Sequence, residues 1–204
     1  TKRSEALPLL TSHFKLLMSA ANKLVPGLRF PEFQGDGEWH EIALENLATR
    51  IRRKVGTKKL TPVSITAGVG FVDQTKKFGR RIAGEQYKNY IHSHRGDFVY
   101  NKGNSKTFAQ GCIYQLKQFE EAAASTAFIC FKLNADCVDH YFQSLFECNT
   151  HGRKLMKFIT SSARSDGLLN INPNDFFSIE LPLPPRKPEQ QKIADCLGSL
   201  DDRI

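Results

Sequence analysis

Five short runs decide the fold: PVSITAG (62–68), VGFVD (69–73), GDFVYN (96–101), GCIYQL (111–116) and STAFICFKL (125–133). Each concentrates β-branched, aromatic or small apolar side chains between glycine or polar residues, the texture of strands joined by turns. Together they predict a curled or barrel-like mixed β-sheet over residues 62–133. Helical periodicity lies on both sides of it, so the class is α+β, with flanking helices and end helices of coiled-coil-like pattern.

Downstream, Val138, Tyr141, Phe142, Leu145 and Phe146 recur at helical spacing over 136–148, and helical spacing returns over 151–160. LLNI (168–171) and FFSIELPL (176–183) read as strand or extended chain, with Asn172-Pro173 opening a turn or helix between them. Pro182, Pro184 and Pro185 remove N–H donors, which predicts that strand pairing stops there. Pro188 suits the first turn of a new helix, and Glu189 favours its positive end. Along that helix Ile193, Leu197, Leu200 and Ile204 are spaced four, three and four, the seam of a helix that packs lengthwise against another.

Upstream, Leu7, Leu10, Phe14, Leu17, Ala21 and Leu24 predict a second striped helix over 8–24. Pro26, Gly27, Pro31, Gly35 and Gly37 make 25–39 a connector anchored by Phe30, Phe33 and Trp39. Ile42, Leu44, Leu47, Ala48 and Ile51 predict a short helix over 40–52. The chain divides into an N-terminal amphipathic helix (1–25), a main domain (26–185) and the start of an exit helix (186–204), whose seam is free to pair with the 7–24 stripe.

At 204 residues, 40% hydrophobic and 25% charged, the chain has the balance of one globular domain with appendages. No apolar run approaches a membrane span, and TKRSEALPLL lacks the features of a signal peptide, so a cytoplasmic protein without a membrane partner is expected. The cysteines Cys112, Cys130, Cys137, Cys148 and Cys196 are odd in number and never form CxxC, which fits reduced thiols.

A net charge of +8 and a pI near 9.3 point to a polyanion or an acidic partner surface. The cations cluster in expected loops: Arg52, Arg53, Lys54, Lys58 and Lys59; Lys76, Lys77, Arg80 and Arg81; Lys102 and Lys106; Arg153, Lys154, Lys157 and Arg164. After GDFVYN, the residues Tyr100, Asn101, Lys102, Asn104 and Lys106 mix phosphate-binding cations with amides able to bond base edges.

Enzymatic signatures are weak. Asn172-Pro173-Asn174-Asp175 departs from the Asn-Pro-Pro-aromatic motif of adenine methyltransferases, and no glycine-rich cofactor turn accompanies it. There is no Gly-x-Ser-x-Gly elbow, P-loop or carboxylate cluster of a metal-dependent nuclease. Cys137, His140, Cys148 and His151 have ligand chemistry but lie among Tyr141, Phe142, Leu145 and Phe146, the pattern of a core helix. His92 and His94 share a strand face without a visible third ligand, so no metal and no catalytic residues are expected.

These residues resemble the DNA-specificity subunits of type I restriction-modification enzymes. LRFPEF (28–33) followed by Trp39, GDFVYNK (96–102), ASTAFICFKL (124–133), SARSDGLLNI (162–171) and IELPLPPRKPEQQKIADCLGSLDDRI (179–204) carry the resemblance in order. It implies a target-recognition domain over 26–185 followed by the start of a spacer helix, and a subunit without catalysis or a bound cofactor of its own. In such enzymes two recognition domains each read one half of a split double-stranded DNA target. Spacer helices set the interval and dock methyltransferase subunits, which bring S-adenosylmethionine; a restriction and translocation subunit joins for cleavage. A second recognition domain or protomer is then a further expected partner. Half-site reading is assigned to the 76–81, 101–106 and 161–166 loops, with Asn101 and Arg164 among the base readers. The competing reading is a protein-interaction scaffold whose end helices assemble partners without reading DNA.

Overall fold

The computed structural model describes residues 29–78, 84–103, 108–159 and 169–201, with only the backbone of Lys77, Phe78, Leu200 and Asp201. The helix expected at 8–24 lies outside them.

The strands are β1 (His40–Ala43), β2 (Ala48–Arg50), β3 (Thr61–Thr66), β4 (Gly70–Asp73), β5 (Ile91–His94), β6 (Phe98–Asn101), β7 (Cys112–Gln115), β8 (Glu121–Ala124), β9 (Ile129–Leu133) and β10 (Glu180–Leu183). The helices are α1 (Leu44–Leu47), α2 (Gln74–Phe78), α3 (Asp139–Glu147), α4 (Thr150–Leu155), α5 (Pro173–Phe177) and α6 (Lys187–Asp201). The α+β class holds. The strands do not close into a barrel: they form a central sheet β2-β9-β6-β7, an outer sheet β4-β3-β8-β5 and a ribbon β1-β10. Strand directions are mixed, because β3 runs parallel to β8 while the other pairs are antiparallel.

Alternation along β6 explains the layering. Phe98 and Tyr100 join the main core with Phe131, Phe146 and Phe176, whereas Val99 faces Val63, Ile65, Phe71 and Ala124 of the outer sheet. Cys112 and Cys130 point the same way as Val99, and Ile113 and Phe131 the other. The central sheet is therefore covered on both faces, which is why FVYN reads as a continuous apolar run without polar alternation. Tyr100 stacks on Phe176 with ring centroids 4.6 Å apart, and Phe98 on Phe131 at 5.6 Å.

Two segments depart from expectation. Residues 40–52 are strand, single turn and strand, because His40–Ala43 pairs with Glu180–Leu183, Leu44 N–H donates to Ile179 O, and Ala48–Arg50 pairs with β9. Strand pairing beyond the segment overrides its local spacing. Pro182 sits inside β10 opposite Glu41; a two-stranded ribbon has an outer side where the missing N–H costs nothing. Asn172 caps α5 as expected, its Oδ1 accepting from Asp175 N–H at 2.9 Å.

The exit helix α6 begins as expected around Pro188 and Glu189. Ile193 and Leu197 are 4% exposed and belong to the main core, where α6 packs along α3. The seam is thus met, over this length, by the chain's own domain. Cys112, Cys130 and Cys148 are buried, Cys137 is half-buried and Cys196 is exposed. Among the described residues, no helix is long and apolar enough to cross a membrane.

Candidate nucleic-acid interface

One end of the central sheet gathers segments far apart in sequence. Asn101, at the end of β6, donates from Nδ2 to Ile65 O at 3.2 Å, and its Oδ1 accepts Gly103 N–H at 2.9 Å. Leu169 N–H donates to Lys102 O at 2.9 Å, joining the chain after residue 168 to the end of β6. Gly68 N–H, in the β3–β4 hairpin, donates to the Tyr114 hydroxyl at 2.8 Å.

Beneath this end lies a polar support. The Tyr100 hydroxyl donates to Gln110 O at 2.8 Å, Asn149 Nδ2 donates to Gln110 Oε1 at 3.3 Å, and His151 Nε2 donates to Gly111 O at 3.3 Å. Gly111 has φ +81°, and a Cβ there would lie 2.4 Å from Asn101 O and 2.6 Å from the Tyr100 ring. Only glycine fits this close approach. Asn149 takes the left-handed conformation, φ +55°, tolerated by its short amide. His151 is fully buried, which pushes its imidazole down to about 4, so it is neutral near pH 7.

The second basic region is elsewhere. Arg52, Arg53, Lys54, Lys58 and Lys59 are exposed on the segment that runs beside β5, where Val55 N–H donates to Tyr90 O and His92 N–H to Arg53 O. Arg53 Nη2 lies 2.7 Å from His94 Nδ1. His92 Nε2 and His94 Nε2 reach Glu121 Oε1 at 2.9 and 3.2 Å, and Lys58 Nζ reaches it at 3.4 Å. Burial holds His92 below its ordinary value against the pull of Glu121, while the His92 hydrogen bond is the largest influence holding Glu121 below its own.

Glu121 supplies the third metal-type ligand that the sequence hid, placed by the register that sets it opposite His94. Ligand atoms of the three lie within 4.8 Å of one another. Arg53 and Lys58 already contact them, and a dication would have to displace or oppose these cations. The cluster reads as a charge network that orients a basic edge. Cys137, His140, Cys148 and His151 do not converge: Cys137 gives its S–H to Leu47 O, His140 is exposed, and His151 bonds to Gly111 O.

The expected contact residues thus separate into two sets at opposite ends of β3, about 17 Å apart at an ordinary strand rise. Asn101 and Lys102 stand at the loop end, and Arg153 is exposed on α4. Lys76 is exposed on α2, and Lys154 is half-buried in an ion pair with Glu41. Tyr100 is a correction: it is 0% exposed and lies in the core, so it offers no surface for a nucleic-acid contact. Arg80, Arg81, Asn104, Lys106 and Arg164 lie outside the described residues, as do Leu10, Phe14, Leu17 and Ile204 of the proposed seam. Gln110, Asn149 and Glu121 were not identifiable in advance, since the Asn149–Gln110 and His92–Glu121 contacts join residues 39 and 29 apart in sequence.

Over 98% of its length the chain aligns with the HsdS subunit from Thermoanaerobacter tengcongensis at 13% identity and TM-score 0.49, covering 45% of that chain. The S subunit of a type I restriction-modification system from M. genitalium gives 14% identity, TM-score 0.49 and 46% coverage of that chain. A structure from work on complex assembly and conformational transition of the type I R-M system gives 13% identity, TM-score 0.50 and 46% coverage, a likeness of fold. The chain therefore spans less than half the length of these structures. No curated protein matches it. A family model described as the type I restriction modification DNA specificity domain matches residues 53–204. With well over half of its residues in that match, the chain belongs to the family of type I restriction modification DNA specificity domains.

Proposed function

We propose that this domain reads one half of a bipartite double-stranded DNA target through the loop end of its central sheet, with the Arg52–Lys59 edge holding phosphates alongside. The observation that carries the reading is the convergence of Asn101, Lys102 and Leu169 at one end of the molecule in a chain of this family. Asn104, Lys106 and Arg164, which adjoin Lys102 and Leu169 in sequence, are accordingly assigned to base or phosphate contact. A net charge of +8 supplies the non-specific attraction, and side chains at the loop end supply discrimination.

In this reading the chain acts in the cytoplasm without a cofactor. It positions methyltransferase subunits, which bring S-adenosylmethionine, and a restriction subunit on the DNA. The scaffold alternative is weakened by Ile193 and Leu197, since the seam it requires is occupied by α3 over this length. Binding to random duplexes titrated with salt tests the electrostatic part: each phosphate contact should contribute a slope of about −0.9 in log K against log salt. Lys102→Ala should lower affinity for all sequences alike, because a lysine at the loop end contacts phosphate.

A further inference from the structure

A desolvated ion pair lies at the root of α6, away from the loop end. Arg29 Nε and Nη2 donate to Glu189 Oε1 and Oε2 at 2.7 and 2.6 Å, and Trp39 Nε1–H donates to Oε1 at 3.1 Å. The Arg29 and Glu189 side chains are 5% and 0% exposed. Outside this core pair, Arg186 bonds Asp36 at 2.8 Å and Lys192 bonds Glu32 at 3.2 Å, so the 29–39 connector is fastened along the first turns of the helix. On the opposite side, Gln190 Oε1 accepts Val138 N–H at 3.1 Å and Lys187 Nζ donates to Ala135 O at 2.7 Å, which fastens the same turns to the start of α3.

An exposed ion pair can break and re-form in water while a helix pivots. A buried, two-pronged one cannot, because any swing of α6 leaves a guanidinium and a carboxylate without water or partner. The planar fork also fixes an angle, which apolar contacts at Ile193 and Leu197 do not.

We propose that the Arg29–Glu189 pair, with Trp39 as third donor, is a positioning joint that locks the exit helix to the domain and dictates the direction in which the helix leaves it. Resting on the reading of α6 as the start of a spacer between two DNA-reading domains, this makes the interval between half-sites a property of the domain as well as of helix pairing. A second helix meets the apolar stripe of α6 only beyond Leu197, because α3 covers the part before it.

Distance measurement between two nitroxides tests the joint in the folded chain. Cys196 is exposed on α6, whereas Cys112, Cys130 and Cys148 are buried, so once the half-buried Cys137 is replaced by alanine in every variant a thiol reagent labels Cys196 selectively. Glu120→Cys, 78% exposed at its side chain on the far sheet, takes the second label. The unaltered joint should give one narrow distance distribution. Glu189→Gln should broaden it by about twofold or more, and so should Arg29→Lys, which keeps the charge but loses the fork. Widths unchanged in both variants overturn the proposal, even if melting temperatures fall; should Glu189→Gln fail to fold, Arg29→Lys decides alone.

The DNA consequence is separable. Both variants should bind a duplex with one half-site within about twofold of the parent, since the joint touches none of the residues assigned to DNA contact. In the assembly that brings two recognition domains to one duplex, the parent should lose affinity about tenfold when the spacer changes by one base pair, a rotation of about 35°, and the variants less than about threefold. Variants that keep the parent's spacer discrimination contradict the joint. A parent that binds no half-site contradicts the DNA reading instead, while the label distances still decide the joint.

Discussion

His151 lies at the base of the loop end, fully buried, with Nε2 committed to Gly111 O and Nδ1 without a hydrogen-bond partner. Its pKa is lowered to about 4 by desolvation, against an ordinary value near 6.5. Between these values the unfolded chain binds the proton and the folded one does not, so this contribution is fully present above about 6.5 and is lost as pH falls through about 4. Thermal melts should show wild-type stability falling by up to about 3 kcal/mol across that window, and His151→Gln, which keeps a donor but does not titrate, should flatten the fall. Gly111 carries a second prediction. Gly111→Ala forces a Cβ against Asn101 O at 2.4 Å and should cost about 3 kcal/mol or more in denaturant unfolding. Tyr100 shows where residue-level reading stopped: an aromatic beside a basic, amide-rich loop has the chemistry of a base platform. Only the second sheet on one side of β6 and the Phe176 ring on the other reveal it as core.

At the scale of elements, periodicity located α3, α6 and the strands β3, β4, β6, β7 and β9, because their signals are local. It missed where long-range pairing decides. Ala122, Ala123 and Ala124 favour helix by propensity, yet all three are 0% exposed in β8, where small side chains let neighbouring layers approach. The 40–52 segment failed for the same reason, its strands depending on partners near 180 and 132. The α6 stripe was legible, but the helix that covers it was not. Ile193→Ala distinguishes a covered seam from a free one. With α3 against it, the substitution should cost about 2–5 kcal/mol in the isolated chain, whereas a seam awaiting a partner would lose much less.

The whole molecule places two basic regions at the ends of β3, with the exit helix fastened to the domain through Arg29 and Glu189. Charge and the family's motifs were visible in the chain, whereas the separation of the two regions depends on strand order and register. A duplex spanning both should make several phosphate contacts; with about six or more, affinity should fall by about 10³-fold or more between 50 and 200 mM salt. Selection of bound duplexes from a random pool, carried out with the chain and repeated with the methyltransferase subunit proposed as its partner, tests half-site reading most directly. Enrichment of one short asymmetric motif, weakened at single positions by substitution at Arg164 or Asn104 but uniformly by Lys102→Ala, is the predicted result. Salt-dependent binding with no enriched motif under either condition would contradict it.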